Sequence, residues 1–167
     1  MKKTYLTKNP TQTKKLGKIL AAELLKKVKG KKRTGFSLSK EILKTKPLKG
    51  ALVVGLEGDL GGGKTTFLQG FARGLGIKEK ILSPTFVIMR KFHVSCSMFH
   101  DFYHIDCYRI KKPREILNLE FKEIIFNPQN IIAIEWADRI RKILPKKTII
   151  FKFEFLDQTK RKISLAD

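Results

Sequence analysis

The residues with the clearest chemical potential form a glycine-rich run in the first half of the chain. Gly58 to Thr65 reads G-D-L-G-G-G-K-T, which matches the pattern G-x-x-x-x-G-K-[ST] at every fixed position. In such a loop, successive main-chain N–H groups point inward at a phosphate, and glycines fill positions where a side chain would obstruct that path. An apolar run precedes the loop and a helical pattern follows it. We therefore interpret the run as a phosphate-binding loop and not as an ordinary turn.

Three side chains of this loop have predicted roles. The ammonium group of Lys64 is expected to reach the β- and γ-phosphates of a nucleotide as a point charge. The Thr65 hydroxyl is a candidate Mg²⁺ ligand, because Mg²⁺ prefers oxygen and binds through few protein groups. Thr66 is expected to bond the α-phosphate. A helix beginning near Lys64 would direct its positive N-terminal end at the same phosphates, so the motif predicts bound ATP with Mg²⁺.

A carboxylate is expected to hold Mg²⁺ from the side opposite Thr65. Phosphoryl transfer needs such a group in addition to the phosphate cradle. Glu135 ends the run I-I-A-I-E, which reads as a buried strand. A carboxylate there is costly without a partner, and Mg²⁺ is a suitable one. The alternative is a surface glutamate at the end of a strand.

Two further segments could respond to the nucleotide. Asp106 lies within H-I-D-C-Y-R and could contact Mg²⁺ or orient a water molecule. Alternatively, it is a cap or a salt-bridge partner of Arg109. Ser83 and Thr85 flank a proline in S-P-T, and their hydroxyls could sense the γ-phosphate as switch segments do. The alternative here is an ordinary Ser-Pro turn.

Five histidines and cysteines raise the possibility of a zinc site. Zinc favours such ligands, but the sequence has no Cys-x-x-Cys pair, and histidines on strands are more often packed or hydrogen-bonded. A structural zinc is therefore the less favoured interpretation. The residues are His93, Cys96, His100, His104 and Cys107.

Alternating strand and helix patterns predict an α/β fold in one domain, 1–167. The predicted fold is a P-loop NTPase with a mostly parallel central sheet, helices on both faces and a C-terminal β-hairpin. Strands are predicted over 51–57, 86–94, 99–108, 130–136, 148–155 and 162–165. Helices are predicted over 11–28, 66–76 and 138–144, and one or two short helices over 113–125. Residues 29–49 read as a basic insertion or loop.

The charge balance favours an anionic partner. The chain of 167 residues carries 36 Lys and Arg against 15 Asp and Glu, a net charge of +21. A field of that sign attracts RNA, nucleotides or acidic protein surfaces, although a lysine-rich genome would also give charge spread along the whole chain. Two cysteines, no apolar leader and no run long enough to span a bilayer predict a cytoplasmic protein without a membrane partner.

Four motifs together resemble one family. GDLGGGKTTF, SPTF, HIDCYR and IEW occur in the order and approximate spacing of TsaE, also called YjeE, the bacterial ATPase of the tRNA threonylcarbamoyladenosine system. The run T-K-K-L-G from Thr13 resembles the N-terminal T-x-x-L-G of that family. The chain departs from the family in two ways. Residues 29–49 look like an insertion before the first core strand, and two motifs are altered: SPTF replaces SPTY, which removes a hydroxyl at Phe86, and IEWA replaces IEWP.

The resemblance implies a role for each matching residue. Thr13 would lie near the adenine or ribose, Trp136 would neighbour the nucleotide, and Arg161 would flank the base. Thr65 and Glu135 would serve Mg²⁺, while Asp106 would support hydrolysis and Thr85 would belong to the switch. The phosphates would be held by Gly61, Gly62, Gly63, Lys64, Thr65 and Thr66.

The same resemblance implies partners. The partners of the family are TsaD and TsaB, which with TsaC-type enzymes modify the adenosine next to the anticodon in tRNAs reading codons that begin with A. TsaE would not make the modification, but its ATP cycle would reset the TsaB–TsaD complex. We therefore expect a weak ATPase that depends on its partners and reaches tRNA through the complex. The rival hypotheses are a small-molecule or nucleoside kinase and an RNA-binding module that uses ATP structurally, with 29–49 as its first candidate contact.

Overall fold

The chain forms a twisted sheet with helices on both faces. The computed structural model describes residues 3–28, 50–96 and 98–166. The elements in this part of the chain are β1 (Thr4–Thr7), α1 (Pro10–Val28), β2 (Leu52–Gly58), α2 (Lys64–Gly74), β3 (Met89–Cys96), β4 (Phe99–Asp106), α3 (Arg114–Leu117), α4 (Phe121–Phe126), β5 (Asn130–Glu135), a 3₁₀ helix (Ala137–Ile143), β6 (Ile149–Phe155) and β7 (Arg161–Leu165).

Parallel strands occupy the centre of the sheet. Within the described residues, seven strands pair in the order β1-β7-β6-β2-β5-β4-β3. The ladders among β6, β2, β5 and β4 are parallel, whereas β1, β7 and β3 add antiparallel edges. This confirms the predicted α/β class, with a parallel centre and a C-terminal hairpin formed by β6 and β7. The carboxyl ends of β2, β4 and β5 therefore meet at one edge, where ligands bind in open α/β sheets.

Both faces of the central strands are buried, which explains their nearly continuous apolar sequences. Alternate residues of β5 contact different cores: Ala133 faces α1 and α2, whereas Ile132 and Ile134 face α3, α4 and the 3₁₀ helix. The first core is rich in phenylalanine, and the rings of Phe67 and Phe151 lie 5.4 Å apart. A rigid sheet between two cores fixes where each strand ends, and so fixes the side chains that follow.

Helices α1 and α2 pack so closely that their backbones are in contact. A Cβ atom added to Gly70 would overlap the carbonyl oxygen of Lys14, and one added to Gly17 would overlap that of Phe67. Gly74 meets the backbone of Lys18 in the same way. Glycine at these positions therefore lets the two helices approach more closely than side chains would allow.

We expect Gly70→Ala to destabilise the fold. Alanine would gain helix propensity, but its methyl group would overlap backbone that cannot move without separating α1 from α2. The expected net cost is about 2 kcal/mol, or a lower Tm by about 4–8 °C. Thermal denaturation followed by circular dichroism measures this, with Lys15→Ala at an exposed position of α1 as the control. An unchanged Tm would contradict the close packing.

Two N-terminal features differ from the sequence prediction. Strand β1 was not predicted; it pairs with β7, from Thr4 opposite Ser164 to Thr7 opposite Arg161. Helix α1 begins at Pro10, one residue before the predicted 11. Asn9 is its cap, because the Asn9 Oδ1 atom accepts a hydrogen bond from the Gln12 amide at 2.9 Å.

The predicted strand over 86–94 begins too early. Residues 85–87 form a turn, and β3 starts only at Met89. The Pro84 carbonyl accepts hydrogen bonds from the amides of Val87 at 2.9 Å and Ile88 at 2.6 Å, and Ile88 has a φ of 63°. The predicted helix over 138–144 is the 3₁₀ helix, and the one or two short helices predicted over 113–125 are α3 and α4. The basic segment 29–49 lies outside the described residues.

Candidate nucleotide-binding site

The glycine-rich loop joins β2 to α2 and surrounds a cavity. Gly58 and Gly63 have φ angles of 116° and 93°, values that favour glycine. A Cβ at Gly58 would also overlap the Phe153 carbonyl. The cavity measures about 340 Å³, which lies within the range of small-molecule sites. Its walls are formed by Leu60, Gly61, Gly62, Gly63, Lys64, Thr65, Thr66, Ser83, Thr85, Asp106, Tyr108, Glu135 and Trp136.

Lys64 holds a buried ammonium group at the base of the loop. The residue is 5% exposed, and its Nζ atom donates to the carbonyls of Gly58 at 2.7 Å and Asp59 at 2.6 Å. The Trp136 ring lies beneath it, with its centroid 3.9 Å from Nζ. Burial lowers the pKa of Lys64, and the negative charges of Glu135 and Asp59 oppose that shift. The Lys64 amine is therefore desolvated and held beside the main chain of the loop.

Glu135 and Thr65 are hydrogen-bonded to each other in the wall of the cavity. The Thr65 hydroxyl lies 2.9 Å from Glu135 Oε1 and 2.8 Å from Oε2, although the residues are 70 positions apart. Glu135 is 3% exposed, so its carboxylate must be stabilised by hydrogen bonds from protein groups such as the Thr65 hydroxyl rather than by water. A hydroxyl and a carboxylate at this distance offer hard oxygen atoms at one point.

His104 is a third member of this cluster. Its Nε2 atom lies 2.8 Å from Glu135 Oε1, and its Nδ1 atom is buried without a hydrogen-bond partner in the described part of the chain. A proton on Nδ1 would be a buried donor with nothing to bond, which is more costly than an unpaired acceptor. We therefore assign the neutral tautomer with its proton on Nε2, which donates to Glu135.

The sheet register brings these acidic groups together. Strands β4 and β5 pair in parallel, with His104 beside Ala133 and Asp106 beside Glu135. Side chains alternate along a strand, so His104 and Asp106 share one face. Ala133 and Glu135 share the same face of β5, on the side of α2. From the sequence alone, His104 is considered only as a possible zinc ligand. The alternation H-x-D is the signal that could have placed it in the site beside Asp106.

Asp106 connects β4 to the Ser-Pro-Thr turn. Its Oδ2 atom accepts hydrogen bonds from the hydroxyls of Ser83 at 2.6 Å and Thr85 at 2.5 Å. Its Oδ1 atom accepts one from the Tyr108 amide at 2.9 Å. The structure records no bond to Arg109, whose guanidinium instead lies 4.4 Å from the exposed Phe86 ring. Ser83, Thr85 and Asp106 therefore form one hydrogen-bonded unit at the mouth of the cavity.

Thr13 and Arg161 lie behind the glycine loop and are not among the cavity-lining residues. The Thr13 hydroxyl is buried and lies 2.8 Å from that of Thr7. Arg161 Nε donates to the Gly61 carbonyl at 2.7 Å. A Cβ at Gly63 would be 3.6 Å from both Thr13 and Arg161. Elements α1 and β7 therefore support the loop from its outer side.

Aromatic residues form the opposite wall. Trp136 follows β5 in a left-handed conformation, with a φ of 58°, and its ring centroid is 5.2 Å from that of Tyr108. The Arg139 guanidinium lies 5.7 Å from the Trp136 ring and 5.5 Å from the Tyr108 ring. The sequence motifs predict no role for Tyr108 or Arg139. Trp136 is the only tryptophan of the chain, so its fluorescence can report on the cavity.

The histidines and cysteines considered for zinc are dispersed. His104 bonds to Glu135, His100 contacts Gln129, and His93 lies 4.0 Å from Asp101. Burial raises the pKa of the Cys107 thiol to about 12, which disfavours the thiolate that zinc requires. The Cys96 side chain lies outside the described part. In that part, no three His, Cys, Asp or Glu side chains are grouped to hold a metal.

The sequence of the chain also matches a known family along most of its length. The family model described as "Threonylcarbamoyl adenosine biosynthesis protein TsaE" matches residues 7–163. The chain belongs to the TsaE family. It is 36% identical over 112 residues to the tRNA threonylcarbamoyladenosine biosynthesis protein TsaE of Haemophilus influenzae, covering 66% of this chain and 67% of that protein.

Two comparisons with Bacillus subtilis proteins agree with this assignment. The TsaE protein of that organism is 37% identical over 114 residues, covering 68% of each chain. The crystal structure of Bacillus subtilis YdiB is similar with a TM-score of 0.67 and 29% identity, covering 99% of this chain and 84% of that one. The resemblance to TsaE and the P-loop NTPase-like fold predicted from the sequence are thereby confirmed. The described helices include none that is long and apolar enough to cross a membrane.

Proposed function

We propose that the chain is a Mg²⁺-dependent ATPase of the tRNA threonylcarbamoyladenosine system, and that its ATP cycle resets the TsaB–TsaD complex in the cytoplasm. One observation carries the enzymatic part: Glu135 lies within 2.9 Å of the Thr65 hydroxyl at the cavity that Lys64 and the glycine loop enclose. That combination of cation, amides and oxygen ligands suits a nucleoside triphosphate with its metal.

The residues of the cavity fit both Mg²⁺ and a nucleoside triphosphate. A buried carboxylate and a hydroxyl are ligands that Mg²⁺ accepts, and Thr65 and Glu135 would hold it. The path of the loop requires glycine, since a Cβ at Gly62 would lie 2.9 Å from the Asp59 carbonyl. The amides of Gly61 to Thr66 and the N-terminus of α2 would hold the phosphates. Thr13 and Arg161 support the loop, with Thr13 proposed to lie near the adenine or ribose and Arg161 to flank the base.

The proposed hydrolysis depends on positioning and charge. Bound Mg²⁺ would neutralise charge on the phosphates and polarise them toward attack. Lys64 would stabilise the negative charge that develops on the γ-phosphate. Asp106 would orient the attacking water, and its bonds to Ser83 and Thr85 fix the carboxylate and couple it to the switch turn.

A partner is expected to accelerate this reaction. Among the described residues that line the cavity, Lys64 is the one cation, and Arg109 contacts Phe86 instead. An arginine supplied by another protein accelerates comparable phosphoryl transfers by about 10³–10⁵-fold. We therefore expect slow turnover alone and turnover at least tenfold faster with TsaB and TsaD homologues. Phosphate release from ATP measures both rates, and a rate that these proteins leave unchanged would contradict the proposed partnership.

His104 is expected to act as a positioning residue for Glu135. His104→Phe removes the Nε2 donor, so the carboxylate loses one of its two hydrogen-bonding side chains and turns more freely. Loss of such an outer partner typically weakens metal affinity by about 10–100-fold. We therefore expect His104→Phe to need a Mg²⁺ concentration about 10–100-fold higher for half-maximal ATP binding. Trp136 fluorescence measures this binding.

Two controls separate this role from a general loss of structure. His104→Gln retains an N–H donor and should restore much of the Mg²⁺ dependence, whereas ATP binding in EDTA should be equal in all three proteins. Thermal denaturation shows whether each variant folds. If a folded His104→Phe protein needs no more Mg²⁺ than the parent, His104 does not position Glu135.

A further inference from the structure

A second cavity, remote from the phosphate loop, is lined by cations. It lies between α1, α2 and the segment after α2, and it measures about 450 Å³. We call it the α1–α2 cleft. Five positive side chains line it, against one carboxylate, that of Glu79. The five are Lys14, Lys15, Lys18, Arg73 and Lys80.

Glycine contacts between the helices hold these charges together. Gly70 and Gly74 of α2 lie against the backbone carbonyls of Lys14 and Lys18 of α1. This places two lysines of one helix beside Arg73 of the other, closer than larger residues in the seam would allow. The same contacts that stabilise the helix pair therefore concentrate like charges along its edge.

The segment after α2 is fixed as a third wall. The Gln69 side-chain amide donates to the Ile81 carbonyl at 3.1 Å, and Arg73 Nη1 donates to the Ile77 carbonyl at 3.4 Å. These bonds position Lys80 over α2. Only one of the guanidinium N–H groups of Arg73 is used in this way, so the others can bind a ligand.

The five positive charges of the cleft outnumber its one carboxylate, that of Glu79. All five cationic residues are exposed, and none forms an ion pair with another residue of the described ranges. Some other surface cations of these ranges are paired, such as Lys91 with Asp101 and Lys162 with Glu154. A concave array with five cations and one carboxylate focuses positive potential and attracts polyanions.

The lining favours a nucleic-acid backbone over a free nucleotide. No aromatic side chain lines the α1–α2 cleft, and Ile81 is its only large apolar residue. A base would find no ring to stack on, whereas successive phosphates match a row of cations. Because the family acts in tRNA modification, RNA is the relevant polyanion. We propose that the α1–α2 cleft binds the phosphate backbone of tRNA without reading its sequence.

This surface is separate from the nucleotide cavity. Arg73 lies nine residues beyond Lys64 on α2, or about 14 Å along the helix axis. RNA bound here would leave the glycine loop open, so the inference does not depend on ATP hydrolysis and its test needs no nucleotide.

The test compares two variants with equal loss of charge. One carries Lys14→Ala, Lys18→Ala and Arg73→Ala; alanine keeps the helices intact. The control carries Lys111→Ala, Lys112→Ala and Lys122→Ala, which are exposed and belong to the segments on the other face of the sheet. Fluorescence anisotropy of a labelled, unmodified tRNA transcript gives the affinity of each protein between 50 and 200 mM salt.

We expect the cleft variant to bind about tenfold more weakly or worse at 100 mM salt, with the slope of log K against log[salt] reduced by about 2–3. The control variant should show less than half of the cleft variant's change in log K and less than half of its change in salt slope. Equal losses in both variants would overturn the inference, as would a parent protein that does not bind the transcript at 50 mM salt. Binding of poly-glutamate in place of tRNA, lost only in the cleft variant, would assign the surface to an acidic protein. Circular dichroism confirms that both variants fold.

Discussion

Replacing Lys64 with alanine is expected to weaken ATP binding about 100-fold. Hydrogen bonds to charged groups contribute about 1.5–3 kcal/mol each, and about 1.4 kcal/mol corresponds to a tenfold change in affinity. An ammonium group that bonds two phosphate oxygens would therefore account for this loss. Lys64 is 5% exposed at the base of the glycine loop. No other cation of the described residues lines the cavity, so none can replace it.

Calorimetric titration is the suitable measurement for this variant. Tryptophan fluorescence is not, because Lys64 lies 3.9 Å from the Trp136 ring and its removal changes the probe itself. Lys152→Ala removes the same charge from an exposed position of β6 and serves as the control. Equal ATP affinity in the Lys64→Ala, Lys152→Ala and parent proteins would show that the loop does not bind a triphosphate.

The glycine loop could be predicted because its structure is local. Three glycines with positive φ, Gly58, Gly61 and Gly63, fall within six residues, and a buried strand and a helix flank them as the motif requires. The meeting of Thr65 with Glu135 is not local, since 70 residues separate them. It was nevertheless expected, because the ends of parallel strands meet at one edge of the sheet.

The features that escaped prediction depend on tertiary contacts. Strand β1 has only four residues, and its reason to extend is the ladder with β7 at the far end of the chain. Phe86 and Val87 favour strands by residue type, but Pro84 and its carbonyl close a turn there. The alternation H-x-D places His104 on the same face as Asp106, but His104 meets Glu135 only when the register sets β4 against β5. In each case the neighbour that decides the structure is distant in sequence or acts through a single carbonyl.

Glu135→Gln is the substitution that isolates the metal-side carboxylate. The amide has the same shape, and its oxygen can still accept from Thr65 or His104, so the protein should fold. It removes one negative charge and presents an N–H donor where an oxygen ligand is needed. Removing one such stabilising group from an active site costs about 10²–10³ in kcat. We expect ATP hydrolysis to fall by at least about 100-fold in the presence of the partner proteins.

The same variant should separate metal binding from nucleotide binding. In EDTA, ATP affinity should equal or exceed that of the parent, because a carboxylate near the phosphates has become neutral. With Mg²⁺, the gain in affinity that the parent shows should be reduced. Glu154→Gln makes the same change at an exposed residue paired with Lys162 and should leave both properties intact. If Glu135→Gln hydrolyses ATP as fast as Glu154→Gln, then the carboxylate beside Thr65 holds the fold together but does not serve the reaction.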